Sequence, residues 1–391
     1  MTVRLLYLVS HPIQYQAPLL RLIAGQPDID FNAVFERDSG PGGYFDNGFG
    51  TTIQWDTPLR DGYRSSVEPD ASKLARRIVG ADIVWMHGWQ GTRMLRALAT
   101  ARRHGVPVLM RGENTLAAMP DGPFPRGPLK RIFLDWVFAR CGAFLCVGSA
   151  NREYYQAHGV RDARLFDMPY AVDNDFFRSR ADATDVPALR AELDIGPTGP
   201  VILFAGKLQP RKHPAALIDA FRRLDRTRLG DPYLLFVGDG EQRRVVADAA
   251  AADPRIRFLG FRNQSELPRL YALADVFVLA ADREPWGLAV NEAMNAACVP
   301  IVSTACGCQV DLVDDACGAV VPPGNAAALA RALERVLASR ERTEALGAAA
   351  RRKIRDWNFA ADIQGLNRAI AFVLGEKAER RAVTSKTPAP A

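Results

Sequence analysis

The stretch "ADVFVLAADREPWGLAVNEAMNAACVPIVST", residues 274–304, decides the fold of this chain. It begins with a continuous apolar run, passes through a Pro-Trp-Gly loop into a helical segment, and ends in a second apolar run. Continuous rather than alternating apolar runs are typical of parallel strands that helices cover on both faces. The stretch therefore predicts a strand, a helix and a strand of an α/β protein.

The same alternation continues along most of the 391 residues. The predicted strands of the first half are "VRLLYLV" (3–9), "FNAVFE" (31–36), "ADIVWMH" (81–87), "VPVLMRG" (106–112) and "GAFLCVG" (142–148). Those of the second half are "PVILFAG" (200–206), "YLLFVGD" (233–239), "IRFLGF" (256–261), "ADVFVLA" (274–280) and "VPIVST" (299–304). Two such series predict two doubly wound α/β domains.

A polar segment separates the two series of strands. It shows no strand pattern, and it ends in Gly and Pro before a new apolar run. The predicted segments are an N-terminal domain (1–180), a linker (181–199), a C-terminal domain (200–355), a helix that can cross back to the N-terminal domain (356–376) and a disordered tail (377–391).

Composition restricts the class of protein and its environment. The chain is 48% hydrophobic and 24% charged, which is typical of a globular protein, and it has no apolar run long enough to predict a transmembrane helix. Its six cysteines form no C-x-x-C pair, so we expect reduced, structural thiols in the cytoplasm. The net charge of +6 suits an anionic small ligand or an anionic membrane surface, and we expect no nucleic-acid partner.

The residues that follow the strands of the second half predict a binding site. In open parallel sheets, ligands bind beyond the carboxyl ends of the strands. Lys207 and Lys212 follow one strand, and a helix begins near Gly287 after another. Positive charge and free helix amides suit a diphosphate. Glu292 suits the 2′ and 3′ hydroxyls of a ribose, and Glu284 then faces a sugar beyond the phosphates.

Five ordered blocks extend this pattern. They are "AGKLQPRKHP", "VGDGEQ", "FLGFRNQSELPRLYALADVFVLA", "EPWGLAVNE" and "GAVVPPGNAAALA". Together they resemble the donor-binding domain of retaining glycosyltransferases of family 4. That architecture, called GT-B, has two Rossmann-like domains that face each other across a cleft.

The resemblance implies a role for each matching residue. Glu284, Lys207 and Lys212 would be catalytic, together with Glu113 of the first half. The implied donor-binding residues are Gly206, Lys207, Lys212, Gly238, Phe261, Arg262, Glu284, Gly287, Leu288, Ala289 and Glu292. The co-substrate would be a nucleotide-diphosphate sugar, with no cofactor and no metal, because lysines neutralise the phosphates. Lys207 departs from the family pattern, which commonly has arginine there.

The first half resembles the family less and supplies candidates for the acceptor side. His11, Gln14 and Tyr15 follow the first strand, in a loop that either binds the acceptor or the donor or only shapes a turn before a helix. Further candidates at strand ends are His87, Trp89, Glu113 and Asn114, with core packing of Trp89 and a surface ion pair of Glu113 as the alternatives. The implied acceptor is a glycan or a lipid-linked molecule.

Residues 124–140 mix basic and aromatic side chains in a helical pattern. Such a helix can lie on an anionic membrane surface, at the inner face of the membrane, or it can pack its apolar face on the sheet. The residues leave both interpretations open.

Two other functions fit parts of the pattern. A dehydrogenase would need G-x-G-x-x-G after its first strand, and "GDGEQR" has Arg243 where the third glycine belongs. A nucleotide-sugar epimerase of the same architecture and a non-catalytic sugar-nucleotide-binding protein stay open as alternatives. The function we expect is a retaining glycosyltransferase in polysaccharide, lipopolysaccharide or glycolipid assembly.

Overall fold

The computed structural model of the chain describes residues 2–38, 43–46, 48–119 and 125–385. It has two compact α/β units, and neither is continuous in sequence. The first unit consists of Met1–Ser39, Pro58–Tyr170 and the chain from Phe359 onwards, and the second consists of Gly40–Thr57 and Ala171–Asn358.

The first unit is built on a parallel sheet of seven strands. Its strands are β1 (Val3–Val9), β2 (Ile29–Phe35), β5 (Ser65–Val67), β6 (Ile83–His87), β7 (Val108–Gly112), β8 (Ala143–Cys146) and β9 (Leu165–Asp167). They lie in the order β5-β2-β1-β6-β7-β8-β9, so the strand order reverses between β1 and β6. The central strands are buried on both faces, as their continuous apolar runs predict.

Helices cover the sheet of the first unit. They are α1 (Ala17–Ala24), α2 (Ala71–Gly80), α3 (Thr92–Arg103), α4 (Arg126–Phe138), α5 (Ser149–Ala157) and α15 (Phe359–Ser385). Helix α15 comes from the far end of the chain and packs on β8 and β9. It continues past residue 376, so the predicted disordered tail is corrected as far as Ser385, and residues 386–391 lie outside the described residues.

The second unit is built on a parallel sheet of six strands. Its strands are β10 (Val201–Ala205), β11 (Tyr233–Val237), β12 (Ile256–Gly260), β13 (Val276–Leu279), β14 (Val299–Ser303) and β15 (Ala319–Val321). Their order is β12-β11-β10-β13-β14-β15, which is the order of the Rossmann fold. The strand order reverses between β10 and β13, and such a switch point is where these sheets bind ligands.

The first helices of the second unit include residues that were predicted to form the linker. They are α6 (Asn174–Asp182), α7 (Val186–Glu192), α8 (Pro214–Arg222), α9 (Arg243–Ala252), α10 (Leu267–Leu273), α11 (Leu288–Asn295), α12 (Gln309–Leu312), α13 (Ala326–Val336) and α14 (Arg340–Lys353). The linker predicted over 181–199 is therefore corrected, because α7 lies inside it and Asp185 caps that helix by accepting from the Ala188 amide at 3.0 Å.

A short hairpin from the first half of the chain belongs to the second unit. Strands β3 (Tyr44–Asp46) and β4 (Thr51–Ile53) pair antiparallel and lie in sequence between β2 and β5. All ten predicted strands are present, whereas β3, β4, β5, β9 and β15 were missed because each has only three residues. Two Rossmann-like α/β units confirm the predicted fold class.

Candidate functional site

The loops after β10 and β13 form the candidate site of the second unit. Because these strands are neighbours at the switch point, their loops lie side by side. The amide of Asp282, after β13, donates to the Arg211 carbonyl, after β10, at 2.8 Å. The predicted lysines and Glu284 are thereby brought to one edge of the sheet.

Lys212 and Glu284 form an ion pair in this site. The Lys212 ammonium lies 3.0 Å from Oε2 of Glu284, and both side chains are largely buried. Lys212 ends a 3₁₀ turn, Pro210–Lys212, that leads into α8. Arg211 lies farther from the same carboxylate oxygen, at 3.6 Å, and is more exposed. The site therefore holds a cation and a carboxylate in direct contact.

Backbone hydrogen bonds fix the position of Glu284. Its amide donates to the Ala305 carbonyl at 3.3 Å, and its carbonyl accepts from the Gly307 amide at 2.8 Å. The loop after β14 thus holds the loop after β13 like a short strand pair. The carboxylate of Glu284 is positioned by two loops rather than one.

Gly287 makes the turn from this loop into α11. Its φ of 103° is a conformation that side chains with a Cβ rarely adopt, which explains the glycine. Leu288 and Ala289 come directly after it, and amides at the first helical positions have no acceptor within their own helix. Free amides at a helix start favour an anion.

Glu292 lies in the second turn of α11 and is deeply buried. It exposes 1% of its surface, and the Tyr271 hydroxyl donates to its Oε2 at 2.6 Å. Tyr271 belongs to α10 and is itself buried. The structure thus separates the two glutamates, since one pairs with a lysine and the other accepts from a tyrosine.

The backbones of Gly206 and Gly238 are in close contact. A Cβ on Gly238 would overlap the carbonyl group of Gly206, and the Gly206 amide donates to the Val237 carbonyl at 2.9 Å. A Cβ on Gly206 would lie 3.5 Å from the Lys212 ammonium. Their glycine identity therefore has a packing reason as well as the predicted approach to a ligand.

Lys207 contacts a group that the sequence did not indicate. Its ammonium lies 2.8 Å and 2.9 Å from the two carboxylate oxygens of Asp46, on strand β3. It also lies 5.0 Å from the centre of the Phe49 ring. Burial alone would raise the pKa of Asp46, but the hydrogen bonds and charge of Lys207 outweigh it and hold this pKa below its ordinary value.

The loop after β12 carries the two residues predicted near the nucleotide base. The Phe261 ring packs edge-on against Phe49, with centroids 5.2 Å apart, and lies 6.1 Å from Trp55. Arg262 pairs weakly with Glu266, at 3.9 Å. The hairpin therefore supplies aromatic neighbours to this loop.

A second polar cluster lies in the first unit, at the carboxyl ends of β1, β6 and β7. Tyr7 donates to Oε1 of Gln16 at 2.5 Å, and the Gln16 amide nitrogen lies 3.0 Å from Nδ1 of His87. Nε2 of His87 lies 3.6 Å from Glu113, which also accepts from Tyr170 at 2.5 Å. His87 and Glu113 are thus brought together, whereas Gln16 and Tyr170 were missed.

The charge state of Glu113 follows from its neighbours. Burial disfavours the ionised carboxylate, but the hydrogen bonds from His87 and Tyr170 and the charge of Arg111 outweigh burial and lower the pKa of Glu113. Burial raises the pKa of Tyr7 well above its ordinary value, so this phenol is neutral. The cluster presents an anionic carboxylate beside an imidazole.

The other acceptor-side candidates lie differently. Trp89 exposes 7% of its surface and packs edge-on against Phe138, with centroids 5.4 Å apart, which favours core packing, the alternative given for this residue. Gln14 is buried, and His11 contacts Ser10 at 2.8 Å. Tyr15 is partly exposed, and the Asn114 carbonyl accepts from Asn151 at 2.7 Å.

Sequence analysis missed five residues of these two sites for different reasons. Asp46 and Tyr170 lie in segments without a ligand-binding pattern, whereas Arg211 lies inside a family block, between the predicted Lys207 and Lys212. Gln16 stands beside the predicted Gln14 and Tyr15, so its loop was identified and only the residue differs. Tyr271 lies inside a family block, where its hydroxyl gave no signal.

Three further observations concern metals, thiols and membranes. Among the described residues, no group of three or more His, Cys, Asp or Glu side chains could hold a metal ion. The six cysteines are buried free thiols, and burial raises the pKa of Cys141 and of Cys146 to about 12. In the part of the chain that the structure describes, no helix is long and apolar enough to cross a membrane.

Comparison with known proteins identifies the class of enzyme. Residues 185–353 match the family model for glycosyl transferases group 1. The D-inositol 3-phosphate glycosyltransferase of Nocardia farcinica is 26% identical over 318 residues, which are 77% of this chain and 69% of that protein. The protein of that name from Jonesia denitrificans is 27% identical over 308 residues, 74% of this chain and 71% of that protein.

Solved structures show the same fold. HepE of Anabaena, crystallised with UDP and glucose, matches with a TM-score of 0.71 and 15% identity over 94% of this chain and 99% of that one. WaaG, a glycosyltransferase involved in lipopolysaccharide biosynthesis, matches with a TM-score of 0.64 and 17% identity over 92% and 99%. The comparisons confirm the predicted resemblance and give the epimerase alternative no support. The chain is therefore a glycosyltransferase of GT-B architecture, and its residues 185–353 are similar to the glycosyl transferases group 1 family.

Proposed function

We propose that the protein transfers a sugar from a nucleotide-diphosphate sugar to a hydroxyl acceptor, with retention of the anomeric configuration and without a metal ion. The observation that carries this proposal is the contact between Lys212 and Glu284 at the switch point of the second sheet. Cations and helix amides suit a diphosphate, and a carboxylate beside them suits a sugar that develops positive charge. The UDP and glucose bound to the Anabaena neighbour support this class of donor.

The proposed reaction exchanges one bond at the anomeric carbon. The bond from this carbon to the diphosphate oxygen breaks, and the acceptor oxygen bonds to the carbon on the same face. The acceptor proton leaves with the diphosphate. Lys207, Lys212 and the amides of Leu288 and Ala289 stabilise the negative charge of the leaving group, and Glu284 stabilises the positive charge of the oxocarbenium-like sugar.

We assign the remaining donor contacts to residues of the second unit. We assign the ribose hydroxyls to Glu292, since a carboxylate accepts several hydrogen bonds and the Tyr271 hydroxyl donates one of them here. Tyr271 would then orient the carboxylate. We assign the base to the backbone around Phe261 and Arg262, after β12.

We assign acceptor recognition to the polar cluster of the first unit. His87 is the last residue of β6 and Glu113 directly follows β7, at the strand ends where open parallel sheets bind ligands. Gln16 orients the His87 ring through its contact with Nδ1. A carboxylate and an imidazole can both hold a hydroxyl group, which suits the glycan or lipid-linked acceptor.

The donor and the mechanism are tested by one series of measurements. UDP-, GDP- and ADP-sugars are screened for protection against thermal unfolding, because a ligand that binds only the native state raises its stability. The sugar that protects is then offered with candidate acceptors, with and without excess EDTA, and the product anomer is assigned by NMR. We expect a retained configuration and unchanged rates in EDTA. Inversion, or activity restored only by magnesium or manganese, would contradict the proposal.

We further propose that α4 docks the protein on an anionic membrane at the cytoplasmic face. Leu129, Ile132, Phe133 and Trp136 are all exposed, by 62%, 66%, 39% and 38%, and their spacing places them on one face of the helix. The opposite face is buried, so α4 packs on its unit and still presents an apolar surface. Phe124, at the start of the predicted segment, lies outside the described residues.

Basic side chains next to this apolar face favour anionic lipid. Arg126 and Arg131 are exposed, and the Arg140 guanidinium lies 3.8 Å from the centre of the Trp136 ring. An apolar face beside cations binds the headgroup region of a bilayer. The acceptor would then be reached at the membrane surface.

Vesicle co-sedimentation tests this surface. The double variant Ile132→Ser/Trp136→Ser should bind vesicles of phosphatidylcholine with about 30% phosphatidylglycerol roughly tenfold more weakly than the wild type. Val310→Ser is the matched control, because Val310 is an exposed apolar residue of α12 at 59%. Equal binding by all three proteins would contradict docking through α4.

A further inference from the structure

The Lys207 ammonium, which the proposed function assigns to the donor diphosphate, already has an anionic partner within the second unit. Both carboxylate oxygens of Asp46 lie within 2.9 Å of it, and the Phe49 ring covers it. The aliphatic part of Lys207 also lies against the backbone of Gly48. This lysine therefore has its charge neutralised by the hairpin.

The hairpin holds the Asp46 carboxylate in a fixed position. Oδ1 of Asp46 accepts from the amides of Gly48 and Phe49, at 2.8 Å and 3.1 Å. These local bonds form a turn in which an aspartate or asparagine oxygen binds the backbone ahead of it. The side chain of Asp46 exposes 12% of its surface, so the carboxylate is largely buried.

Several contacts attach the hairpin to the loop after β12. Asn263 donates to the Gln54 carbonyl at 2.7 Å, and the Ser265 amide donates to Asp56 at 3.2 Å. The Phe49 and Trp55 rings pack against Phe261. Because these contacts do not involve Lys207, the hairpin can stay in place when Lys207 exchanges its partner.

A donor diphosphate and the Asp46 carboxylate cannot both bind the Lys207 ammonium as strongly as either would bind it alone. Each is an anion, and two anions on one cation repel each other. We propose that Asp46 is a built-in competitor of the donor diphosphate for Lys207, an inference that rests on the proposed nucleotide-sugar donor. Donor binding exchanges a protein carboxylate for a phosphate on the same lysine.

The competition acts on the product as well as on the donor. The nucleoside diphosphate that remains after transfer carries the phosphates that Lys207 binds. When the Asp46 carboxylate pairs with Lys207 again, the nucleoside diphosphate dissociates more readily. The exchange therefore weakens the binding of donor and product together and limits product inhibition.

Calorimetric titration with UDP, GDP and ADP tests this competition. Asp46→Asn removes the charge but keeps the oxygen that accepts from the two amides, so the hairpin turn is preserved. We expect Asp46→Asn to bind the recognised nucleoside diphosphate about three- to tenfold more tightly than the wild type, since the contact is partly exposed. Product inhibition by that nucleotide should strengthen by the same factor.

The test includes two controls. Asp219→Asn removes an exposed carboxylate of α8 that has no ion pair among the described residues, and its affinity should equal that of the wild type. In a Lys207→Met background, Asp46→Asn should have no effect, because the lysine for which the two anions compete is gone.

The outcomes separate this inference from the proposed donor. Weaker or unchanged binding by Asp46→Asn, or an equal gain in the Lys207→Met background, would overturn the competition and leave the donor proposal intact. Failure of the wild type and of every variant to bind any of the three nucleotides would overturn both. Thermal melts check that each variant is folded.

Discussion

At the scale of single residues, Glu284 and Glu292 differ because of their neighbours. Glu284 lies in a loop beside the Lys212 ammonium, whereas Glu292 lies in a buried helix turn beside the Tyr271 hydroxyl. A carboxylate near the reacting carbon matters most in the transition state. A carboxylate that holds a ribose acts equally before and during the reaction.

The first prediction separates these two carboxylates. Glu284→Ala should mainly lower kcat, with donor affinity close to that of the wild type, and Glu292→Ala should mainly raise the KM for the donor. Steady-state kinetics with varied donor measure both effects, after thermal melts confirm folding. The reverse pattern would show that the two roles are exchanged.

The second prediction concerns Lys212 and its neighbour Arg211. Lys212→Ala should lower turnover roughly ten- to a hundredfold, because a charged hydrogen bond contributes about 1.5–3 kcal/mol. Arg211→Ala is the matched control, since Arg211 lies farther from Glu284 and is 41% exposed. Turnover of the Arg211→Ala variant should fall about threefold or less. Similar losses in both variants would mean that only the net charge of the loop matters.

At the scale of elements, the start of α11 depends on one backbone conformation. Gly287 has a φ of 103°, and a Cβ there would lie 2.8 Å from the Leu279 side chain. This turn brings the start of α11 close to Glu284, since a Cβ on Gly287 would lie 3.5 Å from the Cγ of that residue. Strain at this position would therefore affect the site as well as the fold.

The third prediction is that Gly287→Ala destabilises the second unit by about 1–3 kcal/mol, measured by urea unfolding. Gly375→Ala is the matched control, because Gly375 lies within α15 and a Cβ there meets no atom within 4 Å. The control should stabilise the protein by about 0.5–1 kcal/mol. If Gly287→Ala had the stability of the wild type, the turn would not require glycine.

At the scale of the whole molecule, a buried ion pair connects distant parts of the first unit. Arg111, on β7, donates to Oδ1 of Asp362, on α15, at 3.0 Å, and the two side chains are 1% and 0% exposed. Arg111 also donates to the carbonyls of Met168 and Pro169. The guanidinium therefore ties the C-terminal helix to the sheet.

The fourth prediction is that Asp362→Leu lowers the free energy of unfolding by about 3–5 kcal/mol, because it leaves the buried Arg111 guanidinium without its carboxylate partner. The double variant Arg111→Met/Asp362→Leu should lose much less stability than the sum of the losses in Arg111→Met and Asp362→Leu, since it removes both charges. Urea unfolding of all four proteins gives the coupling energy. Additive losses would mean that the pair contributes only through packing.

The fifth prediction concerns pH. Burial raises the pKa of Asp362 from 3.8 to about 7, although the charge of Arg111 and its hydrogen bond oppose this shift. A raised carboxyl pKa means that the folded state binds the proton more tightly than the unfolded state. The stability linked to this proton is complete below the unfolded pKa and is lost as the pH rises toward 7.

Thermal melts from pH 4 to pH 8 measure this dependence. Relative to Asp362→Asn, the wild type should gain stability as the pH falls through about 7 toward about 4. A difference that stays constant over this range would mean that Asp362 is ionised throughout.

The sequence by itself determined the fold class and the composition of the donor site. The continuous apolar runs of β10 and β13 require burial on both faces, which is a local property of the chain. Residues that directly follow such strands must lie at one edge of the sheet, so Lys212 and Glu284 could be placed together before the structure was known. Gly287 could be predicted for the same reason, because its turn is local.

Only the tertiary structure decided which partners these residues have. Asp46 is 161 residues from Lys207, and Asp362 is 251 residues from Arg111, so no local pattern links the members of either pair. The hairpin joins the second unit and α15 joins the first because packing across the whole chain selects those neighbours. Burial, charge and partner at each carboxylate follow from that packing, and it alone determines that Lys207 is paired with a carboxylate of its own chain.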